Sequence, residues 1–135
     1  MNERKFSFRN EHLSQMLLHI MECFPEEGCG FVGGRDGLSE IVIPVANSLH
    51  SSTRFLMDPE AQLRAMQSIE ENNLEISAIF HSHPYGPPTL SETDIEEYYY
   101  PDNFMILWFP IDGKWQMQCF SLENNQVYEL KWNCV

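Results

Sequence analysis

The apolar positions change period along the chain, and each change predicts an element. From Asn10, the residues Leu13, Met16, Leu17, Ile20 and Met21 recur at helical spacing. They predict an amphipathic helix capped by Asn10 and ended before Pro25. Residues 28–34 read as a short buried strand with glycines at both ends, and residues 40–46 alternate loosely around Ile41, Ile43 and Val45. Between them, Asp36-Gly37 is a hairpin signal, because these residue types accept the left-handed backbone of a tight turn. Residues 53–57 predict a further short strand. Asp58-Pro59 then opens a second helix, with Asp as cap and Pro at the first position. Its apolar positions are Ala61, Leu63, Met66 and Ile69, and Asn72-Asn73 stop it.

Residues 75–83 carry a dense apolar run, Ile76, Ala78, Ile79 and Phe80, which predicts a central strand. Pro84, Gly86, Pro87 and Pro88 form a stiff loop that lies outside any strand ladder. Ser91 starts a third, short helix that cannot pass Pro101. Residues 104–109, 115–121 and 127–132 read as closing strands, with Asp112-Gly113 and Asn124-Asn125 as the turns between them. Helices alternate with strands first, and an antiparallel meander follows. The expected fold is α/β, one domain over residues 1–135, with a mixed, mostly antiparallel sheet flanked by helices. No internal repeat, low-complexity tract or linker interrupts it.

Composition narrows the classes of function. The chain has 135 residues, of which 43% are hydrophobic and 13% aromatic, which excludes intrinsic disorder. Eight Lys and Arg against 20 Asp and Glu leave a net charge of −12. That balance argues against a nucleic-acid backbone or an anionic membrane as partner. Its longest apolar run, residues 104–109, is far too short to span a bilayer. The first nine residues contain no apolar h-region and do not read as a signal peptide. Cys23, Cys29, Cys119 and Cys134 form no CxxC pair, so reduced thiols and a cytoplasmic location are expected. Ten carboxylates against one Arg fall between Asp58 and Asp102. This reads as solvated helix faces, with a cationic partner or a divalent metal as the functional alternative.

Chemistry concentrates in His81-Ser82-His83-Pro84, followed by Ser91 and Asp94. At the end of a strand, residues i and i+2 point to the same side, so the two imidazoles can converge on one ion. The proline-rich loop brings the chain round to Asp94 in the first turn of the next helix. Two neutral His and one carboxylate leave a tetrahedral zinc with an open position for water, the ligand count of a catalytic rather than a structural site. Asp94 has an ordinary explanation as well: Ser91-Glu92-Thr93-Asp94 resembles a capping box. Capping and ligation then compete for one carboxylate, with one oxygen free to do each. A further carboxylate is needed to move protons. Glu26 and Glu27 both stand before the glycine-flanked strand, and spacing does not choose between them.

Taken together, Glu27, His81-Ser82-His83, Ser91 and Asp94 resemble the motif of the JAMM (MPN-domain) zinc metalloproteases, with every spacing matched. The flanking segments Pro25-Glu26-Glu27-Gly28-Cys29-Gly30, Pro44-Val45-Ala46-Asn47 and Phe55-Leu56-Met57-Asp58-Pro59 are similar to that family too. The resemblance spans roughly residues 13–109 and is closest to small stand-alone prokaryotic members. It implies a cytidine-deaminase-like MPN fold and a Zn2+ cofactor held by His81, His83 and Asp94. It further implies Glu27 as general base and then general acid, and Ser91 as the hydroxyl that steadies the oxyanion. The implied substrate is a ubiquitin-like protein, among them the sulfur carrier proteins, cut after a C-terminal Gly-Gly tail that enters a narrow groove. Tyr98-Tyr99-Tyr100 and Trp108 are candidates for its walls, with simple packing as the alternative.

Other readings stay open on the sequence. The same donor set can hold non-haem Fe(II), but an H-x-H of that barrel type wants a Glu after three or four intervening residues. Those positions here are Pro87 and Pro88. A non-catalytic MPN scaffold or binding module is a second alternative, and a metallopeptidase acting on an unrelated peptide is a third. The oligomeric state is not specified by any of these residues.

Overall fold

The computed structural model describes residues 5–98 and 102–135. Its elements run β1 (Phe6–Phe8), α1 (Asn10–Cys23), β2 (Cys29–Arg35), β3 (Leu38–Val45), α2 (Pro59–Glu71), β4 (Glu75–Ser82), α3 (Glu92–Glu96), β5 (Phe104–Ile111), β6 (Lys114–Glu123), β7 (Gln126–Leu130) and β8 (Trp132–Cys134). The strands form one mixed sheet in the order β7-β6-β5-β4-β2-β3-β1-β8. Pairs β2–β3, β2–β4, β5–β6 and β6–β7 are antiparallel, while β4–β5, β1–β3 and β1–β8 are parallel. The two outermost strands, β7 and β8, are separated in sequence by residue 131 alone, so the sheet has to curl until its edges approach.

Helices cover both faces. Met16 and Ile20 of α1 pack with Phe8, Val32, Ala78, Phe80, Ile106 and Trp108. On the other face, Ala65 and Ile69 of α2 pack with Cys29, Phe31, Val45 and Met57. Strand parity explains the division: Phe31 and Val32 are neighbours on β2 and face opposite ways. The expected turns form as their residue types predict. Asp36-Gly37, Asp112-Gly113 and Asn124-Asn125 all have positive φ at both positions, the backbone that two-residue hairpins require. Asp58 caps α2 by accepting the Ala61 N–H at 3.0 Å, with Pro59 at the first helical position.

Several expectations are corrected. Asn10 is the first residue of α1, and the cap is Arg9 without a side-chain bond. Its side chain is not needed, because the Arg9 and Asn10 amides donate to Ser39 Oγ and the Val135 carbonyl. Met21 and Leu63 sit on the exposed sides of their helices. Residues 53–57 form no strand; only an isolated bridge joins Asn47 to Met57. The last closing strand breaks after Leu130, and the final segment becomes β8, paired in parallel with β1. Neither β1 nor β8 was foreseen, because a three-residue strand made by partners at opposite ends of the chain has little local signal.

Phe80 lies across Gly30 of the neighbouring strand. A Cβ there would fall 2.5 Å from the Phe80 ring and 2.5 Å from the Ile43 carbonyl oxygen. Gly30→Ala is therefore expected to cost more than about 2 kcal/mol through overpacking, read as the shift in urea unfolding. A loss below about 0.5 kcal/mol, the size of an ordinary surface substitution, would refute this close packing.

Candidate metal centre

The site lies at the C-terminal end of β4, where the sheet meets the loop after β3 and the start of α3. Parity along β4 sends Phe80 to the α1 face and turns Ile79 and His81 to the α2 face. His83 follows just beyond the strand, its N–H donating to the Trp108 carbonyl at 2.9 Å. The two Nε2 atoms of His81 and His83 are 3.3 Å apart. Asp94 Oδ2 lies 3.2 Å from His81 Nε2 and 3.1 Å from His83 Nε2. All three side chains are buried.

Each group is fixed from behind. His83 Nδ1 donates to the Pro87 carbonyl at 2.9 Å, so its neutral tautomer turns the Nε2 lone pair toward the site. Here the proline-rich loop has a definite use: it supplies the acceptor. The His81 ring stacks on Phe55, with centroids 4.6 Å apart and planes at 28°. Its Nδ1 is buried and has no hydrogen-bond partner among the described residues. Asp94 belongs to a capping box: its N–H donates to Ser91 Oγ at 3.0 Å, while Asp94 Oδ2 accepts the Ser91 N–H at 2.8 Å. One oxygen thus caps the helix and faces both histidines, rather than the two oxygens dividing the tasks.

This triangle fits a metal. Its edges of 3.1–3.3 Å match the ligand–ligand edge of about 3.3 Å in a tetrahedron with bonds near 2.0 Å. Three lone-pair atoms at that spacing repel unless a proton or a cation lies among them. Their acid–base behaviour reflects the same crowding. Burial drives His81 toward its neutral form, outweighing Asp94 beside it. Burial also opposes the charge on His83, but its bonds to Asp94 and Pro87 prevail and raise its pKa. For Asp94, burial acts upward, and the hydrogen bonds from His81 and His83 overcome it and hold the carboxyl far below the usual range.

Glu27 stands immediately beside the triangle. It precedes β2, whose Cys29 pairs in register with His81. A carboxylate oxygen of Glu27 and one imidazole nitrogen from each of His81 and His83 all lie within 4.8 Å of one another. Glu27 is buried, its Oε1 has no hydrogen-bond partner among the described residues, and desolvation raises its pKa to about 7. Glu26, the other sequence candidate, is only half-buried and bonds His50 at 3.0 Å. Ser91 lies at the start of α3 as expected. Its hydroxyl accepts from Asp94, which leaves its own hydrogen available to donate.

A cavity of about 230 Å³ opens from Asp94 between α3 and the loop after β3, lined by Phe55, Met57, Ile79, Phe104 and Met105. Arg54 and Glu97 also line it and are joined at 2.8 Å. Of the aromatic wall candidates, Tyr98 lines this cavity and donates its hydroxyl to the Asn103 carbonyl. Tyr99 and Tyr100 lie outside the described residues. Trp108 is buried in the core under α1 and lines nothing here. Phe55 and Asn47 act around the site although only the flanking-segment similarity had touched them, while Ser82 stood in the H-S-H motif without a role of its own.

A buried His-His-Asp triangle beside a near-neutral carboxyl, on an α/β fold, is a donor set that would suit a divalent metal next to a proton-exchanging group. The chain belongs to the family described as prokaryotic homologs of the JAB domain, which matches residues 9–120. It is 32% identical over 122 residues to the desampylase of Pyrococcus furiosus, covering 90% of this chain and 85% of that one. It is 39% identical over 120 residues to the probable TtuB-protein conjugate cleaving protease of Thermus thermophilus, covering 87% and 76%. Among solved structures it is similar to a protein from Desulfitobacterium hafniense, with TM-score 0.86, 28% identity, and 96% and 92% of the two chains covered. A JAB1/MPN domain protein from Archaeoglobus fulgidus shares the fold at TM-score 0.65 and 16% identity, covering 97% and 98%.

The Glu27 carboxyl links pH to stability with a definite sign. Folding raises its pKa from the ordinary 4.5 to about 7, so the folded state holds the proton more tightly. Its contribution is fully present below pH 4.5 and is lost as the pH rises through about 7. In metal-free protein, Glu27→Gln is therefore expected to be more stable than wild type at pH 8, by up to about 3 kcal/mol. That advantage is expected to vanish near pH 4. Urea unfolding of both proteins at the two pH values checks this; a difference independent of pH would contradict it.

Proposed function

We propose that this protein is a zinc-dependent peptidase of the JAMM type, acting on conjugates of ubiquitin-like sulfur carrier proteins. The cleaved bond follows the carrier's C-terminal Gly-Gly. The reading is carried by one observation: the buried Glu27 carboxyl lies within 4.8 Å of two histidines that share Asp94 Oδ2. Family membership and relatives named for cleaving protein conjugates support it. The full chain, residues 1–135, is read as one catalytic domain. Its location is read as the cytoplasm, in keeping with four free cysteines.

His81, His83 and Asp94 are the residues that would hold the ion. Zinc bound there supplies Lewis-acid polarisation of the scissile carbonyl and lowers the pKa of water. Glu27 takes a proton from the attacking water as the new C–O bond forms. It then delivers that proton to the leaving amine as the C–N bond breaks, so protons balance over the cycle. A pKa near 7 suits both halves of this exchange, since neither protonation state is strongly preferred at neutral pH. Ser91 donates its free hydroxyl hydrogen to the developing oxyanion. The cavity beside Asp94 is largely apolar and is read as the place where the extended tail would lie.

Two experiments test the reading. Protein purified without chelator is expected to carry about one zinc per chain by elemental analysis, the stoichiometry of a single set of donors, and His81→Ala to lose it. Absence of metal under every loading condition would remove the catalytic reading. The second is hydrolysis of a sulfur carrier protein fused through Gly-Gly to a reporter peptide, with Glu27→Ala as control. Equal behaviour of variant and wild type would favour a binding module.

Ser91 separates its two roles by magnitude. Ser91→Ala is expected to lower turnover on that fusion by about 100-fold, the effect of losing one oxyanion donor. The lost cap costs only about 1 kcal/mol of stability. Turnover that falls no further than stability accounts for would leave Ser91 as a cap alone.

A further inference from the structure

The loop between β3 and α2 lacks regular structure, yet one side chain organises it. Asn47 is buried, and its amide makes all four of the hydrogen bonds an amide can make, each to backbone. Its Nδ2 donates to the Glu27 carbonyl at 3.0 Å and to the Arg54 carbonyl at 3.1 Å. Its Oδ1 accepts the N–H groups of Leu49 and Leu56, each at 3.1 Å. The loop returns the contact: the Glu27 N–H donates to the Ser51 carbonyl at 2.8 Å. Both backbone polar groups of Glu27 are therefore held by this one loop. The same loop carries Phe55, which stacks on His81, and lines the cavity beside Asp94. On the far side of Glu27, Ser82 receives the Gly28 N–H on its hydroxyl at 2.8 Å and donates its own N–H to the Gly28 carbonyl at 3.0 Å.

We propose that Asn47 is a positioning residue, which joins Glu27 and the Phe55-bearing cavity wall into one rigid unit. It acts through Glu27. Its importance for turnover thus rests on the reading of Glu27 as the proton-transfer group. With no partner for Glu27 Oε1 among the described residues, the aim of this buried carboxyl leans on its backbone. Asn47 fixes that backbone.

Asn47→Asp keeps the shape and both acceptor bonds but turns two donors into lone pairs facing the Glu27 and Arg54 carbonyls. By hydrogen exchange, the Glu27, Leu49 and Leu56 amides are expected to exchange at least about tenfold faster in this variant, with the β2–β4 amides unchanged, as in a local opening. On the carrier fusion, kcat is expected to fall about 30-fold with KM within about threefold and zinc content unchanged, the signature of a displaced reacting group. Unchanged protection of those amides would overturn the proposal, as would lost protection with unchanged kcat. Asn47→Ser provides a smaller change. If both variants unfold, the role is global stability and the inference fails. If wild type leaves the fusion intact, the functional reading falls, while exchange at Glu27 still decides whether Asn47 holds its backbone.

Discussion

The structure is organised around three electron-rich atoms held at 3.1–3.3 Å in a buried place, His81 Nε2, His83 Nε2 and Asp94 Oδ2. Left alone, such atoms move apart or collect a proton. The fold prevents the first by anchoring each group separately: a carbonyl behind His83, a phenyl ring against His81 and a helix-cap amide on Asp94. It tolerates the second, which is why the Asp94 carboxyl is pushed so low while the His83 pKa rises. A divalent cation bound there would take the place of that proton, and its binding would be linked to proton release.

Beside the triangle, two carboxyls a short distance apart are driven in opposite directions. Asp94 gathers donors on one oxygen and stays ionised. Glu27 is desolvated, has an oxygen without a partner among the described residues and rises to about 7. Such separation lets one carboxyl serve as a fixed ligand and the other exchange a proton near neutral pH. The overall charge of −12 has no visible part in this. The decisive differences arise within a few ångströms, from hydrogen bonds present at one group and missing at the other.

The parts of the fold readable from sequence are those fixed by a few adjacent residues. Asp36-Gly37 dictates its hairpin because both positions need positive φ, and Asp58-Pro59 starts α2 because each residue type suits its place. The convergence of His81 and His83 follows from strand parity alone. Pairing between distant segments escaped: β1 and β8 meet across the length of the chain, and neither is long enough to show a period. Residues 53–57 look extended by composition, but Asn47 takes their hydrogen bonds in place of a strand. Glu26 and Glu27 could not be told apart on spacing, since burial depends on which of them the loop after β3 covers. The family resemblance supplied that choice, and the structure buries Glu27 while leaving Glu26 to pair with His50 at the surface.

The capping box adds a last constraint. Helix α3 has five residues, far below the length at which a helix is stable by itself. Its start depends on Ser91 and Asp94 bonding each other's backbone, and the same Asp94 oxygen completes the histidine triangle. Ordering the helix and aiming the carboxylate are thus one event. An ionised oxygen has lone pairs enough for an amide on one side and a cation on the other, so the two uses do not exclude each other. Their union also explains why so short a helix follows so stiff a loop. Pro84, Pro87 and Pro88 limit where the chain can go after His83, the Pro87 carbonyl orients that ring, and the capping box fixes the carboxylate at the far end. Little ordering would then be left for an arriving ion to impose, the pre-arrangement that a tight metal site requires.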